Sequence, residues 1–151
     1  MKAWRITTPG QVSLDGEESK AKGGRWHRAG RPLVYAATSG ALATLEFLAH
    51  RNGDTPPDLV AMAIDIPDGI RTDQLSTDAL PDDWRTPNHP ECCAIGEQWL
   101  SGPAEARGAV LRVPSAVVPF EENLLIDPAH PDAREIVVAA VEEYRLDQRV
   151  L

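Results

Sequence analysis

Residues 22–50, KGGRWHRAGRPLVYAATSGALATLEFLAH, contain the signals that decide the fold of this chain. Because glycine adopts positive φ at no steric cost, the pair Gly23-Gly24 predicts a tight turn from which Arg25 can reach a ligand. Residues 33–37, LVYAA, have the length and composition of a buried strand, in which the phenol of Tyr35 is the one polar side-chain group. The stretch therefore predicts an arginine on a turn followed by a tyrosine on a strand.

The end of the same stretch predicts an amphipathic helix that begins after Ser39. At about 100° per residue, Glu46 falls about 40° beyond Leu42, at the border of the apolar stripe. We therefore expect Glu46 to be half buried, with few rotamers, so that its carboxylate can be aimed. A rim carboxylate paired with a nearby arginine is the alternative that the spacing leaves open. The stripe consists of Leu42, Leu45, Leu48 and Ala49.

The size and composition of the chain indicate one globular domain. Its 151 residues are 42% hydrophobic and 25% charged, which is enough for a core of its own. Aromatic residues are only 5% of the chain, so each tryptophan is either a large core anchor or a stacking surface, and core anchoring is favoured. The four tryptophans are Trp4, Trp26, Trp84 and Trp99.

Charge is distributed unevenly along the chain. The formal net charge of −8 and the pI of about 4.9 argue against a protein that follows a nucleic-acid backbone unaided. The first 31 residues nevertheless hold seven basic and three acidic residues, including every lysine of the chain. A local positive region on an acidic body suits a small anion such as a phosphate or pyrophosphate. A basic patch that meets a partner protein is the alternative.

Neither a disulfide nor a metal site is predicted. Cys92 and Cys93 are adjacent, which disfavours a disulfide within one domain and fits a reducing cytoplasm. His89 lies close to them, but no second ligand pair stands at zinc-site spacing. The first residues form no apolar leader and no run approaches the length of a membrane span, so we expect a cytoplasmic protein without contact to a membrane.

Outside the first stretch, apolar runs and turn signals predict further short elements. The run from Leu59 to Ile66 alternates as a strand does, and residues 71–90 read as a loop-rich connection. Asp132 is a plausible N-cap for a last helix whose buried stripe would be Ile136, Val137, Ala140 and Val141. Other predictions are strands at 4–6 and 109–113, short apolar runs at 117–118 and 124–126, irregular structure at 11–22 and a helical turn at 95–100.

Six short motifs, in their order and spacing along the chain, resemble those of the RES domain, a family named for its arginine, glutamate and serine. The match extends from about Trp4 to about Val138, nearly the whole chain, within a single domain of residues 1–151. Asp127 is a departure, since asparagine is expected there in most relatives. The motifs are Gly24-Arg25-Trp26, Val34-Tyr35-Ala36, Ala43 to Glu46, Gly96 to Leu100, Arg112 to Ser115, and Glu122 to Pro131.

The resemblance implies both a fold and a biological role. It implies an α+β fold similar to that of ADP-ribosyltransferases, with small, mostly antiparallel sheets flanked by helices. RES domains are toxins of bacterial type II toxin–antitoxin pairs that inhibit growth by cutting the nicotinamide–ribose bond of NAD⁺, which is a substrate and not a cofactor. The implied partner is a helix-turn-helix antitoxin of the Xre class, which would make any contact with DNA on behalf of the complex. A homodimer is left open.

The resemblance also assigns site residues by matching motif positions. The name-giving residues are the catalytic candidates, and four others are candidates for substrate binding, of which two could equally be packing residues. No residue is assigned to a metal. The catalytic candidates are Arg25, Glu46 and Ser115, and the substrate-binding candidates are Tyr35, Asn123, Trp26 and His27, the last two being those that could be packing residues.

The chemistry of NAD⁺ cleavage needs these residue types. Nicotinamide leaves as a neutral molecule, so the positive charge develops on the ribose, where an ionised Glu46 would stabilise it. We expect the neighbouring Arg25 to lower the pKa of Glu46 more than burial raises it. Arg25 suits the pyrophosphate, because its planar guanidinium pairs with phosphate oxygens. Tyr35 offers a ring face and a hydroxyl, and Ser115 could hold a ribose hydroxyl or the nicotinamide amide. We expect one cleft between these four residues.

The residues leave open which molecule accepts the ADP-ribosyl group and whether the protein is an enzyme at all. The oxocarbenium can be trapped by water, by phosphate or by a protein side chain, which would make the enzyme a glycohydrolase, a phosphorylase or an ADP-ribosyltransferase. A non-enzymatic module that binds only its antitoxin or RNA is the remaining class. The RNA version conflicts with the acidic composition and the scarcity of aromatic residues.

Overall fold

One seven-stranded sheet forms the centre of the computed structural model, which describes all 151 residues. Its strands are β1 (Lys2–Thr7), β2 (Val34–Ala37), β3 (Val60–Asp65), β4 (Thr72–Gln74), β5 (Val110–Pro114), β6 (Glu122–Ile126) and β7 (Val137–Glu143). Their order across the sheet is β4-β5-β6-β2-β1-β3-β7, and only the β4–β5 pair is parallel. The mostly antiparallel α+β fold is therefore confirmed.

Three helices accompany the sheet: α1 (Glu17–Lys22), α2 (Gly40–His50) and α3 (Pro90–Ser101). Both longer helices begin with a side-chain cap, because Ser39 accepts a hydrogen bond from the Leu42 amide and His89 from the Glu91 amide. His89 is thus a capping residue of α3. None of the helices combines the length and apolar character that crossing a bilayer requires.

The strand register assigns each core cluster to one face of the sheet. Ala37 lies opposite both Trp4 on β1 and Asn123 on β6, and Asn123 lies opposite Val113 on β5, so these residues share one face. On that face α2 packs over β1 and β2, while α3 packs over β5 and β6. The opposite face is covered by loops and by the chain start. Its core comprises Ala3, Val34, Ala36, Ile64, Ile66, Ile70, Ala109, Val110, Leu124, Ile126 and Ile136.

The predicted last helix is wrong. Residues Pro131–Glu135 form a short 3-10 turn, and the following residues form β7, an edge strand paired with β3. Apolar residues at helical spacing suggested a helix, but the segment VVAAV is also rich in the β-branched residues that favour strands. Short apolar runs of this kind fit both periods, and pairing with β3 decides between them.

Two smaller predictions also need correction. Residues 11–22 are not wholly irregular, since their second half forms α1. On α2, Leu45 is 43% exposed and the buried residues are Leu42 and Ala43, with Phe47 packed against the same cluster. The buried arc is therefore rotated from the predicted one, and Glu46 falls inside it, about 40° from Leu42 and about 60° from Ala43.

Candidate active site

Three side chains contact the carboxylate of Glu46. Ser115 Oγ lies 2.6 Å and Asn123 Nδ2 lies 2.7 Å from Oε1. His50 Nε2, one helical turn further along α2, lies 3.3 Å from Oε2. The Glu46 side chain is 18% exposed, whereas that of His50 is 70% exposed. The carboxylate thus has an inner oxygen held by two short hydrogen bonds and an outer oxygen beside an exposed imidazole.

Ser115 uses its full hydrogen-bonding capacity within the chain. It is completely buried just beyond β5, and its hydroxyl donates to Glu46. The same oxygen accepts hydrogen bonds from the amides of Val117 at 3.1 Å and Val118 at 2.9 Å. A serine hydroxyl has one proton and two lone pairs, so none is left for a ligand. No histidine contacts the hydroxyl, and the geometry therefore favours positioning of the carboxylate over nucleophilic attack.

Asn123 offers an unused acceptor beside Glu46. Its Nδ2 donates to the carboxylate, which fixes the amide orientation, because the flipped amide would place oxygen against oxygen. The other amide atom, Oδ1, is buried and has no hydrogen-bond partner. An unpaired buried acceptor is costly, and few survive in folded proteins. It is closed to solvent, so a hydroxyl or amide of a ligand reaches it only after neighbouring side chains move.

The partners of Glu46 keep it ionised. Burial raises the pKa of Glu46, but the adjacent His50 and the hydrogen bonds from Ser115 and Asn123 together outweigh burial, so the pKa lies below its ordinary value of 4.5. The carboxylate therefore carries its charge at neutral pH. The direction agrees with our expectation, but the cause does not. The pKa is lowered by these three side chains, and Arg25 is not among the groups responsible.

A second cluster forms around Tyr35 on the same face of the sheet. Its hydroxyl accepts a hydrogen bond from the Trp26 amide at 3.2 Å and lies 2.8 Å from His27 Nδ1. Burial lowers the pKa of His27, which favours the neutral imidazole. Burial also raises the pKa of Tyr35 far above its usual value. The phenol hydroxyl is thus committed to partners within the chain.

Close packing holds this second cluster against α3. Trp26 is 2% and His27 1% exposed, so neither side chain offers a surface to a ligand in this conformation. A Cβ at Gly96 would overlap the Trp26 carbonyl, and one at Gly24 would overlap the Tyr35 hydroxyl. Gly23 has the positive φ expected from the sequence, at 70°. Gly24 and Gly96, which lie in two of the RES-like motifs, therefore permit close packing, and Gly23 permits the turn.

Arg25 fastens a loop in this structure. Its guanidinium donates to the carbonyl oxygens of Trp84 at 2.8 Å, Thr86 at 3.1 Å and Arg85 at 3.3 Å. That loop reaches the Ser115 segment, since Arg85 Nε donates to the Ala116 carbonyl at 2.9 Å. Arg25 is therefore linked to the Glu46 cluster through the loop and not by a direct contact. Its own Nε makes no hydrogen bond within the chain.

The structure divides the seven predicted site residues into two groups. Glu46, Ser115 and Asn123 form one hydrogen-bonded cluster, whereas Arg25, Trp26, His27 and Tyr35 lie in or beside the other. Tyr35 pairs with Leu125, two residues from Asn123 on β6, so both side chains rise from one face as diagonal neighbours, about 7–8 Å apart. A cavity of about 310 Å³ borders the loop between Ser115 and Asn123, but none of the seven residues lines it.

Sequence reasoning missed His50. The signal was present, because Glu46 and His50 are four residues apart on one helix and therefore face each other. A histidine at the last residue of an apolar helix gives no sign of function by its residue type alone. The i, i+4 spacing, rather than the residue type alone, would have identified the pair.

Comparison with known proteins connects these residues to a family. The family model described as RES domain matches residues 2–147. A protein of Sphingobium sp. (strain YBL2), named Prs ADP-ribosylating toxin, is 38% identical over 156 residues, which cover 98% of this chain and 95% of that protein. A protein of Photorhabdus laumondii subsp. laumondii, named Toxin Res, is 37% identical over 153 residues, with 98% and 96% covered.

A solved structure shares the fold. The crystal structure of the M. tuberculosis MbcT–MbcA toxin–antitoxin complex contains a chain that superposes with a TM-score of 0.70 and 19% identity, over 95% of this chain and 83% of that one. This likeness concerns the fold alone, whereas the matches in sequence extend over almost the whole length of this chain. On that evidence, the chain belongs to the RES domain family.

Proposed function

We propose that this protein is the toxin of a type II toxin–antitoxin pair and that it depletes NAD⁺ by cleaving the nicotinamide–ribose bond. The names of its relatives support the role of toxin, and the MbcT–MbcA complex supports a protein antitoxin as partner. An antitoxin of the Xre class and a toxin homodimer are part of the proposal by family resemblance. The reaction rests on the site around Glu46.

The observation that carries the proposed reaction is an ionised carboxylate next to an unpaired acceptor. The positive charge that develops on the ribose as nicotinamide leaves is stabilised by Glu46, which is already charged and already oriented. Asn123 Oδ1 accepts a hydrogen bond from a ribose hydroxyl or from the nicotinamide amide, which removes the cost of its burial. Ser115 acts through Glu46 and does not attack the substrate.

The second cluster would bind the remainder of the dinucleotide. The ring face of Tyr35 packs against the nicotinamide, and Arg25 offers its unused Nε–H to the pyrophosphate while its other nitrogens hold the loop at residues 84–86. Trp26 and His27 position Tyr35 from below. One molecule of NAD⁺ bound across both clusters would contact the Glu46 cluster and the Tyr35 cluster together.

An assay of NAD⁺ cleavage tests the reaction. The purified protein is incubated with NAD⁺, with and without inorganic phosphate, and the products are weighed by mass spectrometry. We expect free nicotinamide together with ADP-ribose or its phosphorylated form. Glu46→Gln should lower the rate about 100- to 1,000-fold, since it removes a preorganised charge but keeps the shape. Glu105→Gln, on an exposed turn, is the matched control and should leave the rate unchanged.

ADP-ribosylation of a protein is the second candidate. It is favoured by the name of the Sphingobium relative, which describes a toxin that ADP-ribosylates Prs. In that case nicotinamide release by the pure protein would be slow, and a lysate supplied with labelled NAD⁺ would show a labelled protein band. Growth inhibition that survives Glu46→Gln would contradict both enzymatic functions and would leave a binding module.

A further inference from the structure

His50 is the one partner of Glu46 that lies on the solvent side. Ser115 is fully buried, and Asn123 reaches the carboxylate from β6, whereas the imidazole of His50 is 70% exposed. The contact to Glu46 is the only polar contact that the His50 ring makes within the chain. A ring so exposed contributes little to the core.

The local geometry favours this contact. Glu46 precedes His50 by four residues on α2, which is the more stabilising orientation of an acid and a base on a helix. His50 is the last residue of α2, where the negative end of the helix dipole attracts a hydrogen-bond donor. The separation of 3.3 Å is longer than the contacts to Oε1. The outer oxygen therefore has an imidazole beside it but accepts no hydrogen bond within the chain.

We propose that His50 is a positioning residue of the site, whose imidazole lies against Oε2 of Glu46 and restricts the orientation of the carboxylate toward the ribose of NAD⁺. This role rests on the proposed cleavage of NAD⁺. His50 touches no reacting atom and acts only through Glu46. It extends the site beyond the arginine, glutamate and serine that give the family its name.

Three variants at position 50 separate positioning from a structural role. His50→Ala removes the donor, His50→Asn shortens it, and His50→Gln places an amide N–H near the position of Nε2. Alanine and glutamine form helix better than histidine, so α2 should not weaken in those variants. Ala41→Ser, on an exposed part of the same helix, is the control. We expect kcat to fall about tenfold in the alanine and asparagine variants, with KM changed less than about twofold.

Rescue and coupling complete the test. His50→Gln should restore kcat to within about threefold of wild type, and adding His50→Ala to Glu46→Gln should cause no further loss. Unchanged kcat in His50→Ala, or equal losses in the glutamine and alanine variants, would overturn the role of His50 alone. A wild-type protein that releases no nicotinamide would overturn the proposed cleavage and this inference together.

Discussion

Glu46 and Asp127 are both largely buried carboxylates, but the chain treats them in different ways. Asp127, which is 1% exposed, accepts hydrogen bonds from Arg107 at 2.7 Å and from the Ala129 amide at 3.0 Å. Arg107 in turn donates to three backbone carbonyls and lies 4.8 Å above the ring of Trp99. In this cluster a cation neutralises the anion, and every nitrogen of the guanidinium has a partner.

The Glu46 cluster has neither a neutralising lysine or arginine nor a complete set of hydrogen-bond partners. No lysine or arginine pairs with Glu46, and Asn123 keeps a buried acceptor without a partner. The charge of Glu46 is stabilised by hydrogen bonds, so it remains available to a positive charge that arises on a ligand. The comparison indicates that the Asp127 pair stabilises the fold, whereas the Glu46 cluster holds a charge that no lysine or arginine neutralises.

The largest expected effect concerns the Asp127 pair. Asp127→Ala leaves Arg107 as a buried cation without its partner, which should lower the free energy of unfolding by about 3–5 kcal/mol. Urea denaturation measures this loss. Replacing both residues, as Arg107→Leu with Asp127→Leu, should cost less than the single change, because no charge is then left unpaired. A single variant as stable as wild type would remove the basis for the comparison.

Ser115→Ala should have the opposite signature, with a large effect on rate. It removes one hydrogen bond to a charged group, worth about 1.5–3 kcal/mol, and should lower kcat for NAD⁺ cleavage about 10- to 100-fold. Some loss of stability should follow, since Val117 and Val118 lose their acceptor. Steady-state kinetics together with circular dichroism would separate the two effects. A covalent ADP-ribosyl adduct on Ser115 in the wild-type protein would contradict the positioning role.

The smallest expected effect is the dependence of stability on pH. Because the pKa of Glu46 is lowered in the folded chain, its ionised form stabilises the fold above the unfolded-state pKa. That contribution is lost as the pH falls through the folded-state pKa. The stability of wild type relative to Glu46→Gln should therefore be constant above about pH 5 and should decline as the pH falls below the unfolded-state pKa. A relative stability that rises on acidification would mean that burial dominates.

The sequence predicted the elements that depend on local pattern. The strand around Tyr35 was predicted to within one residue and a helix was predicted after Ser39, because apolar runs act over a few positions. The rotation of α2 was not predicted. Four leucine and alanine positions defined one stripe, but packing on β1 and β2 buries Leu42 and Ala43 instead, and this places Glu46 deeper than expected.

Properties that depend on distant pairing were beyond the sequence. The VVAAV segment became β7 because the edge of β3 was free to pair with it. Asp127 departs from the asparagine expected in the family motif, and its sequence position gave no sign that it is buried against Arg107, 20 residues earlier in the chain. For the site, family resemblance supplied the residue identities, and only the coordinates showed which of them touch.

The sequence separations within the Glu46 cluster have a consequence for synthesis of the protein. The carboxylate bonds to residues 69 and 77 positions later in the chain, the second of them on a strand in the middle of the sheet. A nascent chain that has not yet emerged past Asn123 cannot assemble the cluster. The ribosome therefore completes most of the polypeptide before the carboxylate can be positioned.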